Sequence, residues 1–304
     1  ATQLVARGLS TALGVLIVII AAEEMPARSR AWAASVLVLA AGLGSGMGVW
    51  VLPIADVDPR GWRAVYLAAL LGVFIVVWAG RRLPETTRFT SHIDDAPATV
   101  HTPDVLERRR RRLVLLASSA FLLAMFLAPA SGFQNDFLKD ERGFDATRVT
   151  VFSLVTSTPA GIGVLIGGYM SETRGRRRVA AVGLVSGTVL ATAAFFVSGP
   201  ALWLFTLGGV VFGALAVPAL AVYGPELFGT HDRGQANGVI VVIGVAGSAV
   251  GLLVAGFLSD RWGGELGPAL ALLAIGPLAV AALVITVYPE TAGLELEDLN
   301  PEDA

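Results

Sequence analysis

The chain of 304 residues contains no cysteine, which excludes disulfides, thiolate zinc sites and a cysteine nucleophile. It has a single lysine, Lys139, so it lacks a phosphate-cradling loop of the Gly-x-x-x-x-Gly-Lys type and ATP coupling is disfavoured. The three histidines, His92, His101 and His231, fall in predicted loops. None has a second ligand at helical spacing, so no metal site is expected. Charge is also scarce: 15% of residues are charged and the net charge is −2, against ~25% charged in soluble domains. No basic face is left for nucleic acid. No acid lies deep inside an apolar run. Glu23 and Glu24 sit at the end of one, and Asp136 near the end of another. A membrane-embedded enzyme would need clustered His, Asp or Glu within its spans, so neither an enzyme nor a cofactor is expected.

What the chain does have is apolar length. Hydrophobic residues make up 55% of it and the mean hydropathy is +0.70. Nine apolar runs are long enough to cross ~30 Å of hydrocarbon at ~1.5 Å per residue: residues 4–22, 31–52, 64–80, 113–131, 147–170, 179–198, 201–222, 236–258 and 268–288. The fold class read from them is an all-α membrane protein with nine transmembrane helices, in contact with the lipid bilayer. The first residues lack the basic region, short apolar core and cleavage site of a signal peptide. With no initiator methionine either, they read as a reading frame incomplete at its N-terminus.

Residues 168–178 read Gly-Tyr-Met-Ser-Glu-Thr-Arg-Gly-Arg-Arg-Arg, a cationic loop between two apolar runs. Four arginines in five positions are costly to translocate, which puts this loop on the cytoplasmic side. With that side fixed, 15 of the 22 basic residues fall on it and 7 on the other. The start of the chain is then outside and the tail inside, in a multi-pass protein of the plasma or inner membrane. Residues 83–112 are polar, contain Pro84, Pro97 and Pro103, and end in five consecutive arginines, Arg108 to Arg112. They read as a cytoplasmic linker, its arginines either solvated or held at anionic lipid. The expected domains are a partial first bundle of three spans (1–82), this linker (83–112), a second bundle of six spans (113–290) and an acidic cytoplasmic tail (291–304).

The chain also repeats itself. A shift of 203 residues places Glu23 on Glu226, Arg30 on Arg233, Ala33 on Ala236, Val36 on Val239, Val38 on Val241, Gly44 on Gly247, Ser45 on Ser248, Gly48 on Gly251 and Val51 on Val254. Nine identities in 29 positions exceed the roughly three that shared apolar composition would give. An even number of spans separates the copies, so they point the same way across the membrane. If the second bundle has six spans the first should too, which leaves three unaccounted for at the N-terminus.

The loop at 168–178 resembles the signature loop of the major facilitator superfamily, with Gly168, Gly175, Arg176 and Arg177 in register, Glu172 replacing an Asp and Thr173 an Arg. The resemblance extends to Glu23, Pro26 and Arg30, which look like the signature after that family's fourth helix, and to Glu226 and Arg233 after the tenth. Gly61-Trp62-Arg63, Pro84 to Thr86 and the run from Pro289 to Leu299 look like further family motifs. The resemblance implies helices four to twelve of a twelve-helix pseudo-symmetric transporter, acting as a monomer on a small solute such as a sugar or organic acid. It leaves open symport, with the proton as candidate coupling ion, or uniport. The alternative reading is a facilitator-like sensor or scaffold that does not transport.

Within either reading, Glu172, Glu226 and Glu290 are expected to face Arg176, Arg177 and Arg233, with Glu23 and Arg30 as the equivalent pair of the first bundle. Together they would act as a cytoplasmic gate whose pairs form only when helix ends meet. Gln134 and Asn135, after Pro129 and Gly132, and Tyr223 are the candidate solute contacts. The hydroxyls of Thr156, Ser157 and Thr158 are expected to bond their own helix backbone. Gly42, Gly44, Gly46 and Gly48 on one span, and Gly161, Gly163, Gly167 and Gly168 on another, are read as packing faces.

Overall fold

The computed structural model describes residues 2–51, 62–82 and 103–300, and among them all regular structure is helical. Gly61, Pro84 to Thr86, the rest of the linker from 83 to 102, and the tail from 301 to 304 lie outside the described residues. Helices follow from the solvent: in hydrocarbon a backbone amide finds no water, so each long apolar run must close its hydrogen bonds on itself.

The first three helices are α1 (Thr2–Glu24), α2 (Arg30–Val51) and α3 (Trp62–Gly80). Next comes α4 (Pro103–Gly132), followed by the short α5 (Gln134–Asp136) and a π turn at Phe137–Glu141. The remainder comprises α6 (Ala146–Ser157), α7 (Ala160–Arg174), α8 (Arg176–Ala194), α9 (Pro200–Glu226), α10 (Arg233–Arg261), α11 (Leu266–Leu273), α12 (Ile275–Thr286) and α13 (Leu296–Leu299). Among the described residues six helical stretches are long and apolar enough to cross a membrane: Val5–Glu24, Pro103–Glu141, Ala146–Arg174, Pro200–Glu226, Arg233–Arg261 and Leu266–Thr286. The other three expected spans coincide with α2, α3 and α8. Three arginines occupy the first turn of α8, which shortens its apolar part.

Several boundaries differ from the sequence reading, each for a local reason. The arginine run is not linker but the opening turns of α4. Pro103 fits the first helical turn, Asp104 favours the N-terminus, and arginine is a good helix former. The cationic loop shrinks to one residue, because α7 runs on to Arg174 and α8 starts at Arg176. Gly175 between them has φ +93°, a conformation that side chains resist. Two spans are each split in two. Pro159 caps α7, and Pro277 lies in the first turn of α12, where a missing N–H does least harm.

Glycines set how closely the helices pack. A Cβ on Gly163 or Gly167 of α7 would strike the backbone of Val211 or Leu215 on α9, and one on Gly168 would strike Ser35 and Ala31 of α2. Gly247 and Gly251 let α10 lie against Phe121 and Met125 of α4, and Gly187 and Gly213 meet where α8 crosses α9. This is the packing role expected of the set from 161 to 168. Gly42 and Gly44, by contrast, have nothing within 4 Å of where a Cβ would stand. Gly167→Val should therefore lower stability by about 1–3 kcal/mol through overpacking, whereas Gly14→Ala, with open space around it, should stay within about 0.5 kcal/mol. Thermal unfolding of the two variants in detergent compares them directly.

Candidate functional site

Two helix hairpins meet at the arginine-rich end of the bundle. In the first, α1 ends at Glu24 and α2 begins at Arg30; in the second, α9 ends at Glu226 and α10 begins at Arg233. Arg30 Nε donates to the carbonyls of Ala22 (3.0 Å) and Met25 (3.3 Å). Arg233 Nε donates to those of Pro225 (2.5 Å) and Phe228 (3.2 Å). In both cases the acceptors stand eight and five residues before the arginine, so the repeat in the sequence is also a repeat of hydrogen bonds. Each guanidinium closes carbonyls that the end of the preceding helix leaves open and extends its Nη1 beyond its own hairpin.

They reach to the opposite hairpin. Arg233 Nη1 donates to Glu23 Oε1 at 2.5 Å, and Arg30 Nη1 lies 3.7 Å from Glu226 Oε1. The glutamate of each hairpin thus meets the arginine of the other. Glu226 also accepts from Arg176 Nη1, which in turn donates to Thr291 Oγ1 at 2.7 Å. Arg30, Arg176, Arg233 and Glu226 are all buried, and Glu23 nearly so.

The remaining predicted gate residues play other parts. Glu172 Oε1 accepts the Ala31 amide at 2.5 Å, tying α7 to the first turn of α2, and stands 3.6 Å from Arg176 Nη2. Among the described residues Glu290 pairs with no guanidinium: it accepts the backbone amides of Arg176 (2.9 Å) and Arg177 (3.3 Å) at the N-terminus of α8, where a carboxylate is favoured. The Arg177 side chain faces no acid among the described residues and donates to the Val284 carbonyl at 3.1 Å. The expectation that Glu290 and Arg177 form part of the ion-pair set is corrected accordingly. A Cβ on Gly175 would stand 2.7 Å from the Glu290 carboxylate, a second reason for glycine there.

The acidic tail is docked from Thr291 to Asn300, both fully buried. Arg30 donates to the Leu294 carbonyl (3.0 Å) and to Glu295 (3.2 Å). Arg112 donates to the carbonyls of Leu227 (2.8 Å) and Leu299 (3.0 Å) and to Asn300 Oδ1 (2.8 Å), while Asn300 Nδ2 donates to the Glu226 carbonyl at 2.8 Å. Arg112, Thr291, Glu295 and Asn300 were missed in the sequence. Arg112 carried the one usable signal, since it is the arginine of the run nearest the apolar boundary.

The predicted solute contacts divide. Gln134 lines a cavity of about 390 Å³ inside the second bundle, enclosed by α4, α8, α9 and α12. Asn135 is exposed and does not line it. Tyr223 is wholly buried at the arginine-rich end, edge-on to Tyr288 at 4.9 Å, and does not line the cavity. Thr156 donates to its own helix at Phe152 (2.8 Å), as expected. Among the described residues no group of three His, Cys, Asp or Glu could hold a metal ion.

Comparison with known proteins agrees with this architecture. The family model of the Major Facilitator Superfamily matches residues 130–301. The chain is 25% identical over 231 residues to the cis,cis-muconate transport protein of Acinetobacter baylyi, covering 72% of this chain and 53% of that protein. It is 26% identical over 275 residues to the sialic acid transporter NanX of Escherichia coli, covering 87% of this chain and 65% of that one. The chain therefore spans about half to two thirds of the length of these relatives. A solved structure of the proton:xylose symporter XylE superposes with a TM-score of 0.76 at 17% identity, over 95% of this chain and 70% of that one.

Removing one partner of a buried pair strands the other charge. Glu23→Gln and Arg233→Gln should each cost about 3–5 kcal/mol, and the double variant less than their sum by about 0.5–3 kcal/mol, as read by unfolding in detergent.

Proposed function

Because the chain belongs to the major facilitator superfamily, we propose that it forms the larger part of a secondary transporter, helices four to twelve of twelve, moving a small solute by alternating access. The observation that carries this reading is the reciprocal pairing of Glu23 with Arg233 and of Arg30 with Glu226. Two hairpins related by the repeat hold each other shut at one end, the glutamate of each meeting the arginine of the other.

That end is cytoplasmic in this reading, since it carries the arginines of α4 and α8, and the tail is cytoplasmic with it. The solute enters from the opposite side while the pairs hold. Opening the inner end separates the hairpins and returns the charges to water. A buried ion pair gains by attraction about what it loses by desolvation, so a seam made of such pairs closes specifically without closing irreversibly. The relatives' cargoes, muconate and sialic acid, and the xylose of XylE make a metabolite the first class to test. Fold likeness alone does not choose among them.

Uptake of cis,cis-muconate, sialic acid and xylose into proteoliposomes by the full-length protein tests the reading. Arg176→Ala and Glu226→Gln should slow uptake by up to about tenfold, the shift that ~1.4 kcal/mol produces in a two-state balance, with little change in KM. Wild-type rates in both variants would contradict the gate. A wild type that moved none of a broad metabolite panel would favour a non-transporting sensor.

A further inference from the structure

We infer that the cavity within the second bundle binds an elongated apolar molecule carrying at most one uncharged polar end. Its volume of about 390 Å³ falls in the range of ligand pockets, ~300–1,000 Å³. Leu202 and Leu220 of α9 both line it, so it extends roughly 27 Å along that helix at ~1.5 Å per residue. It is therefore long relative to its volume. The mouth opens between α4 and α9, where Leu127 (57% exposed) and Val217 (40%) line the cavity and yet face outward.

The lining decides the chemistry. It contains no charged residue, and its polar side chains are Ser131, Gln134, Thr188 and Thr206. Ser131 Oγ is already engaged by the Leu127 carbonyl at 2.8 Å. One amide and two hydroxyls cannot satisfy a sugar, each buried unpaired hydroxyl costing ~1–3 kcal/mol. A carboxylate would meet no cation in the cavity and would be excluded more strongly. An apolar body loses nothing there, and Gln134, next to Phe137 where the chain leaves α4, can bond a single polar end.

A free apolar solute and the acyl chain of a lipid share this chemistry. The inference concerns binding and holds whether or not the occupant is the cargo, so it can fail without the transport proposal failing, and the reverse.

The test uses the chain in nanodiscs of saturated phosphatidylcholine, photolabelled either with free trifluoromethyl phenyl diazirine or with a phosphatidylcholine bearing a diazirine in its acyl chain. Labelled residues are mapped by mass spectrometry. One of the two probes should label Leu184 and Leu202, which are buried but line the cavity, and which probe does so identifies the source. Filling the mouth by Val217→Trp or Leu127→Trp should lower that labelling about tenfold, equivalent to ~1.4 kcal/mol of binding. Xylose should not compete. Labelling confined to outward residues such as Leu204 and Phe212 would overturn the inference, as would labelling of Leu184 and Leu202 that both filling variants leave unchanged or that xylose displaces.

Discussion

A guanidinium buried away from water must be matched by a carboxylate or by carbonyls, and in this protein the buried arginine of each hairpin has the glutamate of the other beside it. Arg30 and Arg233 each use Nε to close the carbonyls at the end of their own preceding helix, while Nη1 of each stands beside the glutamate of the other hairpin and Arg30 also holds the tail. Glu23 and Glu226 are held in the last turns of α1 and α9, each beside the arginine of the other hairpin. Docking the hairpins is what makes the burial tolerable. Losing one partner strands a charge at a cost of several kcal/mol, yet letting all partners part together hydrates all of them, and the balance is near even. That asymmetry is what the proposed gate rests on.

The rest of the arginine-rich end supports this seam. Gly175, by taking a left-handed turn in one residue, brings Arg176 into line with Glu226 while leaving the amides of α8 open to Glu290. Glu172 fastens α7 to α2, and the closely packed glycines of α7 let it lie against both α2 and α9. The chain's last described residues wedge across the same seam. Arg30 and Arg112 hold the tail from opposite sides, and Asn300 bonds the carbonyl of Glu226 itself. The opposite end contains no comparable buried cluster among the described residues. There the core is aromatic, with Phe137 against Phe195 and Phe152 against Trp203.

Much of this was legible in the sequence because charge is rare in an apolar chain, so the few acids and arginines at span ends stand out. The shift that aligns Glu23 with Glu226 and Arg30 with Arg233 also aligns their hydrogen-bond acceptors, Ala22 with Pro225 and Met25 with Phe228. The six spans among the described residues followed from length and hydropathy alone. Facing did not. Gln134, Asn135 and Tyr223 are alike in being polar beside an apolar run, but only helix phase decides that the first lines a cavity, the second meets solvent and the third packs on Tyr288. The phase of five consecutive arginines was equally hidden, so the role of Arg112 emerged only with α4. Glu290 lies at the N-terminus of α8, but an acid that caps a helix and one that pairs with a side chain look the same in sequence.

The absence of cysteine makes the central claim directly measurable. Spin labels on Met25→Cys and His231→Cys, one beside each hairpin and both exposed, report the separation of the two hairpins by pulsed electron resonance. The account predicts one short distance in the otherwise unaltered protein, and a second, longer population when Glu23→Gln and Glu226→Gln are added together. An identical distance distribution with and without the two glutamates would contradict it.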